Sequence, residues 1–412
     1  MRILFALNGI DGGATASACD LIDGLRERGH TAVAVAPMSG GSAARRRLEA
    51  SVEEVCWLNL CWWNRNYRAK WWKRPLLAGL ELLRAELVVG NTLRIMSFIR
   101  RRGVDLVHTN TALLIEPGFA ARAANVPHVW HVREQIGRDR LFKFWIGDPS
   151  LVRVFGWFGD AVIANSSASA AIFRPAMLDG RVVVIPNSVK IAAELSSSRR
   201  MEIRQRWGVP PGDLVVGMVA NLTSRMKGHE TFLRAAAQVS ARERVTFVVL
   251  GKNPLTEGGY ASEREYARNL LGLARELGVE SSWRLVGFEA NIQEVIGATD
   301  VVVHPSDQEG FGKVVLEAMA AGIPVIAARS GGVLDVLEDQ RQGLFVEPGS
   351  VRGFAEAIDR LLASSTLREA MGRQGLARCR ERFSPERVAE AVEDVYRRAN
   401  LRRRRAGEAR KA

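Results

Sequence analysis

The sequence predicts an α/β protein built of two doubly wound halves, each a parallel sheet covered by helices on both faces. Short runs of valine, isoleucine and leucine alternate with stretches of helical periodicity along most of the chain, as buried parallel strands require. The alternation breaks once, in the polar segment Glu194-Leu-Ser-Ser-Ser-Arg-Arg200, and then restarts. At 412 residues, the chain also exceeds the roughly 250 to 300 residues over which a single core stops growing.

The first strand is Ile3–Leu7, followed by the loop Asn8-Gly-Ile-Asp-Gly-Gly13. Leu21 and Leu25 mark the buried stripe of the next helix, which Gly29-His30 ends. Thr31–Ala36, Val104–His108, His128–His131, Asp160–Ala164 and Arg181–Ile185 supply the remaining strands of the first half. In the second half the strands are Leu214–Val219, Val245–Leu250, Trp283–Val286, Asp300–His304, Pro324–Ala327 and Gly343–Val346. The expected organisation is a domain at 1–187, a linker at 188–200 and a second domain at 201–382. A terminal helix at 383–400 packs back on the first domain, and a disordered basic tail covers 401–412.

Composition narrows the function. With 47% hydrophobic and 25% charged residues, Gly 38 and Pro 14, the chain is neither collagen-like nor of low complexity. No run of 18 apolar residues occurs, and Met1–Leu7 is too short for a signal peptide. Cys19, Cys56, Cys61 and Cys379 have neither zinc spacing nor the density of a disulfide scaffold, so a reduced, cytoplasmic compartment is expected. A formal net charge of +13 favours an anionic partner such as a phosphorylated substrate or an acidic membrane surface. Nucleic acid is not expected, because no helix-turn-helix, zinc-finger or RNP pattern is present.

Ligands of doubly wound sheets bind beyond the carboxyl ends of the strands, so the loops there carry the chemistry. The densest follows Asp300–His304 and reads Glu309-Gly-Phe-Gly-Lys-Val-Val-Leu-Glu317. Gly310 and Gly312 let backbone approach a ligand, and the exposed amides at the following helix start favour an anion. Glu309 and Glu317 can accept hydrogen bonds from polyols, although the same residues fit a βα turn with capping glutamates. Asn221-Leu-Thr-Ser-Arg-Met-Lys-Gly228 offers Arg225 and Lys227 to a bound phosphate, or to solvent. No Asp-x-Asp occurs, so no carboxylate clamp for a phosphate-bound metal is expected. Gly9, Gly12 and Gly13 lack Gly-x-Gly-x-x-Gly spacing, and no acidic ribose ligand ends the second strand, which disfavours a nicotinamide dehydrogenase. His131 ends its strand and fits a structural or a functional role; His128, earlier in that strand, reads as structural.

Together these segments resemble the retaining nucleotide-sugar glycosyltransferases of family 4, which have the GT-B fold of two Rossmann-like domains facing across a cleft. The most specific match is Glu-x7-Glu at Glu309 and Glu317. Ile185-Pro-Asn-Ser-Val189 is similar to the family's interdomain motif, with Ser188 in place of the usual glycine. Ser330-Gly-Gly332 and Gly343-Leu-Phe-Val-Glu-Pro348 also match. The resemblance runs from the Gly12-Gly13 loop to Phe383-Ser-Pro-Glu-Arg. It implies an acceptor-side N-terminal domain and a donor-binding C-terminal domain. By position, Glu309 and the Gly310, Phe311 and Gly312 backbone would hold the donor sugar, Glu317 the ribose and Lys227 the diphosphate. Gly287 and Phe288 would flank the base, Gly13 would approach the diphosphate, and His131 would sit beside the reacting centre. Asn221 stands where the family usually has arginine, and Arg225 would supply that charge.

The resemblance therefore implies a hexosyltransferase-type enzyme that needs no cofactor, and the missing Asp-x-Asp adds the expectation of metal independence. The enzyme would move sugar from a nucleoside diphosphate-sugar to a glycan or lipid-linked acceptor, in cell-surface polysaccharide or glycolipid biosynthesis. A nucleotide-sugar epimerase and a non-catalytic binding protein on the same scaffold are the alternatives. Finally, the stretch from Cys56 to Arg74 holds Trp57, Trp62, Trp63, Trp71 and Trp72, five of the chain's 10 tryptophans, among Arg65, Arg68, Lys70, Lys73 and Arg74. If helical, it would align Trp63, Tyr67 and Trp71 in a stripe suited to an anionic membrane surface at the inner face of the plasma membrane. The alternative is that these rings pack as core beneath the acceptor loops.

Overall fold

The computed structural model describes residues 1–63, 74–137, 142, 144, 146–173, 180–191, 193–223, 225–240, 242–289 and 291–408, with the side chains of 74–84 and 406–407 outside that description. The chain divides into two compact units, Met1–Ser188 with Pro385–Ala412, and Val189–Ser384.

In the first unit the strands are β1 (Arg2–Ala6), β2 (Thr31–Pro37), β3 (Val55–Leu58), β4 (Leu106–Thr109), β5 (His128–Val132), β6 (Ala161–Ala164) and β7 (Val182–Val184). They pair in parallel in the order β3-β2-β1-β4-β5-β6-β7. Successive side chains of β1 serve opposite faces. Ile3 and Phe5 join Leu21, Ile22 and Leu25 of the helix Gly13–Glu27 and Val388, Val392 and Tyr396 of the helix Pro385–Glu408. Leu4 joins Val33 and Val35 of β2 and Ile95, Phe98 and Ile99 of the helix Arg74–Arg102. Burial on both faces is why these strands are nearly continuous apolar runs.

The second unit holds β8 (Leu214–Val219), β9 (Val245–Leu250), β10 (Trp283–Gly287), β11 (Val301–His304), β12 (Val325–Ala328) and β13 (Gly343–Val346). Their order is β10-β9-β8-β11-β12-β13, again parallel. In both sheets the winding direction reverses beside the unit's first strand, between β1 and β4 and between β8 and β11. Those reversals are the crevices where such sheets bind ligands.

Three expectations need correction. The segment 188–200 is not a free linker. Val189 is buried with Phe311 and Phe383 and donates its amide to the Phe383 carbonyl at 2.9 Å, while Ser196 caps the helix Ser197–Arg206. Residues 401–408 continue the helix Pro385–Glu408, because Arg402 donates to the Asp160 and Gly180 carbonyls at 3.1 and 3.2 Å. Val55–Leu58, within and beside the tryptophan-rich stretch, is the edge strand β3.

Candidate active site

At the carboxyl edge of the second sheet, β8 leads through a 3-10 turn (Arg225–Lys227) into the helix His229–Ala236, and β11 leads into the helix Lys313–Ala320. Since β8 and β11 are neighbours, their loops meet. Gly228 has φ 79°, and a Cβ there would lie 2.5 Å from the Pro305 carbonyl oxygen; Ser306 Oγ donates to the Met226 carbonyl at 3.2 Å. The contact places Lys227 Nζ 3.1 Å from Glu309 Oε2. His304 Nε2 lies 3.3 Å from the same oxygen, without the alignment of a hydrogen bond. Burial alone would push the Glu309 carboxyl up, but His304 and Lys227 outweigh it and hold the group well below the usual carboxylate range. Glu309 is thus an acceptor at neutral pH. The Lys227 side chain keeps 43% of its surface exposed and the Glu309 side chain 17%.

The backbone between Glu309 and Gly312 is clamped from β12. Ser330 Oγ donates to the Ser306 carbonyl at 2.9 Å, and the Gly332 amide donates to the Glu309 carbonyl at 2.9 Å. A Cβ on Gly332 would come within 2.2 Å of the Gly310 carbonyl oxygen, so only glycine fits. Phe311 is buried with Val315 and Val333. Gly312, at φ 91°, begins the helix Lys313–Ala320 with no side-chain cap, leaving its first amides suited to an anion. Glu317 lies on that helix, its carboxylate 3.9 Å from Lys313 Nζ.

Gly287 ends β10, two strands from β8, and Phe288 follows it, its amide donating to Glu257 Oε1 at 2.9 Å. Phe288 is 68% exposed. Asn221 Oδ1 accepts from the Lys252 amide at 2.8 Å, which ties the loops after β8 and β9. Arg225 does not join Lys227 at Glu309. It is exposed and lines a hollow of about 270 Å³ with Tyr266 and Asn269 of the helix Ala261–Glu276.

In the first unit, Gly13 opens a helix whose preceding residue, Gly12, makes no side-chain cap, and no acidic residue lies in its first turn. His131 is buried on β5, with Nδ1 3.2 Å from His108 Nε2 and 3.4 Å from Arg133 Nη2. His108 Nδ1 in turn contacts Tyr396 Oη at 2.8 Å. Burial, then the positive Arg133 and neighbouring His108, hold His131 well below the ordinary histidine value, so it is neutral. His128 is structural: its ring nitrogens meet Thr109 Oγ1 at 2.7 Å and the Phe158 carbonyl at 2.5 Å.

Of the tryptophan-rich stretch, residues 64–73 lie outside the described residues, and with them the supposed stripe of Trp63, Tyr67 and Trp71. The described rings are engaged with protein. Trp57 stacks under Arg45 at 4.5 Å. The Trp62 indole donates to the Asn8 carbonyl at 3.2 Å, and that of Trp63 to Ala112 at 2.8 Å, with its ring against Phe144.

Sequence reasoning missed His304, Arg133, Asn110 and Asn187. The available signal was position, since His304 ends β11 and Arg133 follows β5. A hollow of about 930 Å³, lined by Arg199, Asn291, Gly322 and Arg373 among others, lies at the amino ends of β11 and β12, away from the ligand edge. Among the described residues, no three His, Cys, Asp or Glu side chains converge as a metal-binding group. No described helix is long and apolar enough to cross a membrane.

Comparison with known proteins agrees with this geometry. Residues 11–193 match the family described as Glycosyltransferase Family 4, and residues 199–378 that described as Glycosyl transferases group 1. A D-inositol 3-phosphate glycosyltransferase of Saccharomonospora viridis is 35% identical over 310 residues, covering 73% of this chain and 66% of that protein, just under two thirds of its length. Its counterpart in Kineococcus radiotolerans is 31% identical over 72% of both chains. Among solved structures, Anabaena HepE in complex with UDP and glucose superposes with a TM-score of 0.78 at 25% identity, covering 96% of this chain and 99% of that one.

Proposed function

The chain belongs to glycosyltransferase family 4 and has the GT-B fold, and from that premise we propose that it transfers a sugar from a nucleoside diphosphate-sugar to an acceptor hydroxyl with retention of configuration. The observation that supports this most is the convergence of Lys227, an ionised Glu309 and the uncapped helix after Gly312 at the β8/β11 switch point. In such a transfer the anomeric centre gains oxocarbenium character while negative charge grows on the departing diphosphate. Lys227 and the helix-terminal amides are fixed donors for that charge. Glu309 accepts from sugar hydroxyls and orients the ring, while Glu317 receives the ribose. The leaving phosphate takes the acceptor's proton, so no protein base is required. Gly287 and Phe288 flank the base, Gly13 approaches the diphosphate and His131 stands beside the reacting centre.

The HepE complexes make UDP-glucose the first donor to try. The names of the relatives make inositol 3-phosphate the first acceptor, beside glycan and lipid-linked acceptors of cell-surface polysaccharide or glycolipid synthesis. The reading includes hexosyl transfer without metal or cofactor at the cytoplasmic face of the membrane. A screen of nucleoside diphosphate-sugars, each with and without acceptor, tests it. Transfer that requires acceptor and retains the donor's anomeric configuration is expected. Donor interconversion without acceptor would identify an epimerase, and binding without turnover a non-catalytic protein.

A further inference from the structure

The first unit holds a cation that the mechanism above leaves unused. Arg133 follows β5 directly and is 7% exposed. Its Nε donates to Asn110 Oδ1 at 2.7 Å, one terminal nitrogen donates to Asn187 Oδ1, and the other lies 3.4 Å from His131 Nδ1. All three partners are neutral. The adjoining Glu134 carboxylate is turned away, accepting from Thr111 Oγ1 at 2.5 Å and from the Ala112 and Arg133 amides at 3.1 Å. Among the described residues, no carboxylate forms an ion pair with the guanidinium. Burial, partly offset by the Glu134 and Asp20 charges, lowers Arg133 to about 10, which leaves it positive at neutral pH.

A buried charge without a direct ion pair is costly, and an apolar side chain of similar volume would be the cheaper core. The surroundings add further donors, while the Glu134 and Asp20 carboxylates act on the guanidinium without an ion pair to it. Asn110, which orients the guanidinium, also donates its Nδ2 to the Ala14 carbonyl at 3.2 Å, in the first turn of the uncapped helix at Gly13. Because His131 Nδ1 faces a group that can only donate, the ring proton belongs on Nε2. That nitrogen is buried and has no partner among the described residues. The cluster thus gathers a guanidinium, an imidazole N–H and helix-terminal amides at one carboxyl edge, and the side-chain partners bonded to the guanidinium are all neutral.

We propose that Arg133, positioned by Asn110 and Asn187, is an anion subsite in the N-terminal unit that receives a phosphoryl group carried by a substrate. Resting on the transferase reading, this leaves two sources, the donor's diphosphate or a phosphorylated acceptor. Three of the five guanidinium N–H groups are held by the protein, and two remain for oxyanions.

The test is calorimetry and thermal unfolding of the full chain with inorganic phosphate, UDP, inositol 3-phosphate and unphosphorylated inositol. Arg133→Gln should weaken a phosphorylated probe on the order of 10²-fold, the usual cost of losing one member of a buried charge pair. Inositol should be unaffected, and Arg133→Lys should recover part of the loss. A loss confined to UDP assigns the subsite to the donor, and one confined to inositol 3-phosphate assigns it to the acceptor. Without ligand, Arg133→Gln should still fold, because removal of a buried charge opposes the loss of the donors to Asn110 and Asn187. Equal affinities in wild type and variant for every phosphorylated probe would overturn the proposal. So would an Arg133→Gln protein that fails to fold while Arg133→Lys folds and binds no differently from wild type, since Arg133 would then be a structural tie. Failure of the donor screen with this binding difference intact would instead sink the transferase reading alone.

Discussion

Replacing Lys227 with alanine separates a contribution to folding from a contribution to chemistry. The Lys227–Glu309 pair spans 3.1 Å, but the lysine side chain is 43% exposed, and pairs so open to water contribute about 0.2 to 1 kcal/mol. At roughly 2 to 4 °C per kcal/mol for a domain of this size, the melting temperature should fall by less than about 4 °C. Turnover faces a larger loss. If the ammonium group offsets charge on the departing diphosphate, its removal should cost on the order of 10² to 10³ in kcat, or about 2.7 to 4 kcal/mol. The acid limb of stability should also move. Glu309 has a depressed folded pKa, so its contribution is present above the unfolded value near 4.3 and is lost as pH falls through the folded value. Without Lys227 that loss should begin at higher pH, because His304 alone then opposes the effect of burial. Paired measurements of kcat at saturating donor and of melting temperature from pH 3 to 7 decide the matter. Near wild-type turnover would refute the diphosphate assignment. A drop of 10 °C or more with a matching loss of folded protein would show that Lys227 is structural.

Other sites give independent readouts. Glu317→Gln should weaken binding of the nucleoside diphosphate alone, by calorimetry, with little change in melting temperature; unchanged affinity removes the ribose role. Gly332→Ala drives a Cβ into the Gly310 carbonyl, 2.2 Å away on rigid backbone, and should shift the Glu309–Phe311 loop. A destabilisation of about 1 to 3 kcal/mol with a larger loss of donor affinity is expected, and wild-type affinity would show that the loop is not clamped. Turnover should survive EDTA; loss on chelation that Mg²⁺ or Mn²⁺ restores would reject the metal-independent reading. In liposome flotation, wild type should float with anionic vesicles and release in high salt, while a variant with Trp71, Trp72, Lys73 and Arg74 changed to serine should not. Equal behaviour of the two proteins ends the membrane proposal for that segment.

Where the strands are buried on both faces, the sequence was legible almost residue by residue: Leu214–Val219, Val245–Leu250 and Gly343–Val346 were bounded as observed. Legibility failed at the sheet edge, where Val55–Leu58 is only four residues long and its Cys56 and Trp57 open the tryptophan-rich stretch. The helix Arg74–Arg102 was missed because leucine and valine at 82, 83, 87, 88 and 89 crowd more than one face and blur the helical stripe. Lys227 and Glu309 meet across 82 positions because β8 and β11 are neighbours. Sequence reading, which gave no strand order, took each to the donor by resemblance and did not pair them. It could not separate Arg225 from Lys227, since two residues in a 3-10 turn can point to different neighbours. Arg133 was unreadable, because its significance depends on Asn110 and Asn187, 23 and 54 positions away, and on the carboxylates that do not meet it.

The return of Pro385–Glu408 to the first sheet bears on how the protein is made. One face of β1, with Ile3 and Phe5, is covered in part by Val388, Val392 and Tyr396, which a ribosome adds only after the whole of Val189–Ser384. At about 5 to 20 residues per second, that face waits on the order of 10 to 40 s for its cover. The second unit, being continuous, can fold while the first is still incomplete. Asn400 Nδ2 lies 3.5 Å from Met1 Sδ, so a short tether could join residues beyond 400 to Met1 and the chain could be opened between Ser384 and Pro385. Translation of that permutant would begin with the covering helix and deliver each unit as one uninterrupted segment, in the order in which its faces close.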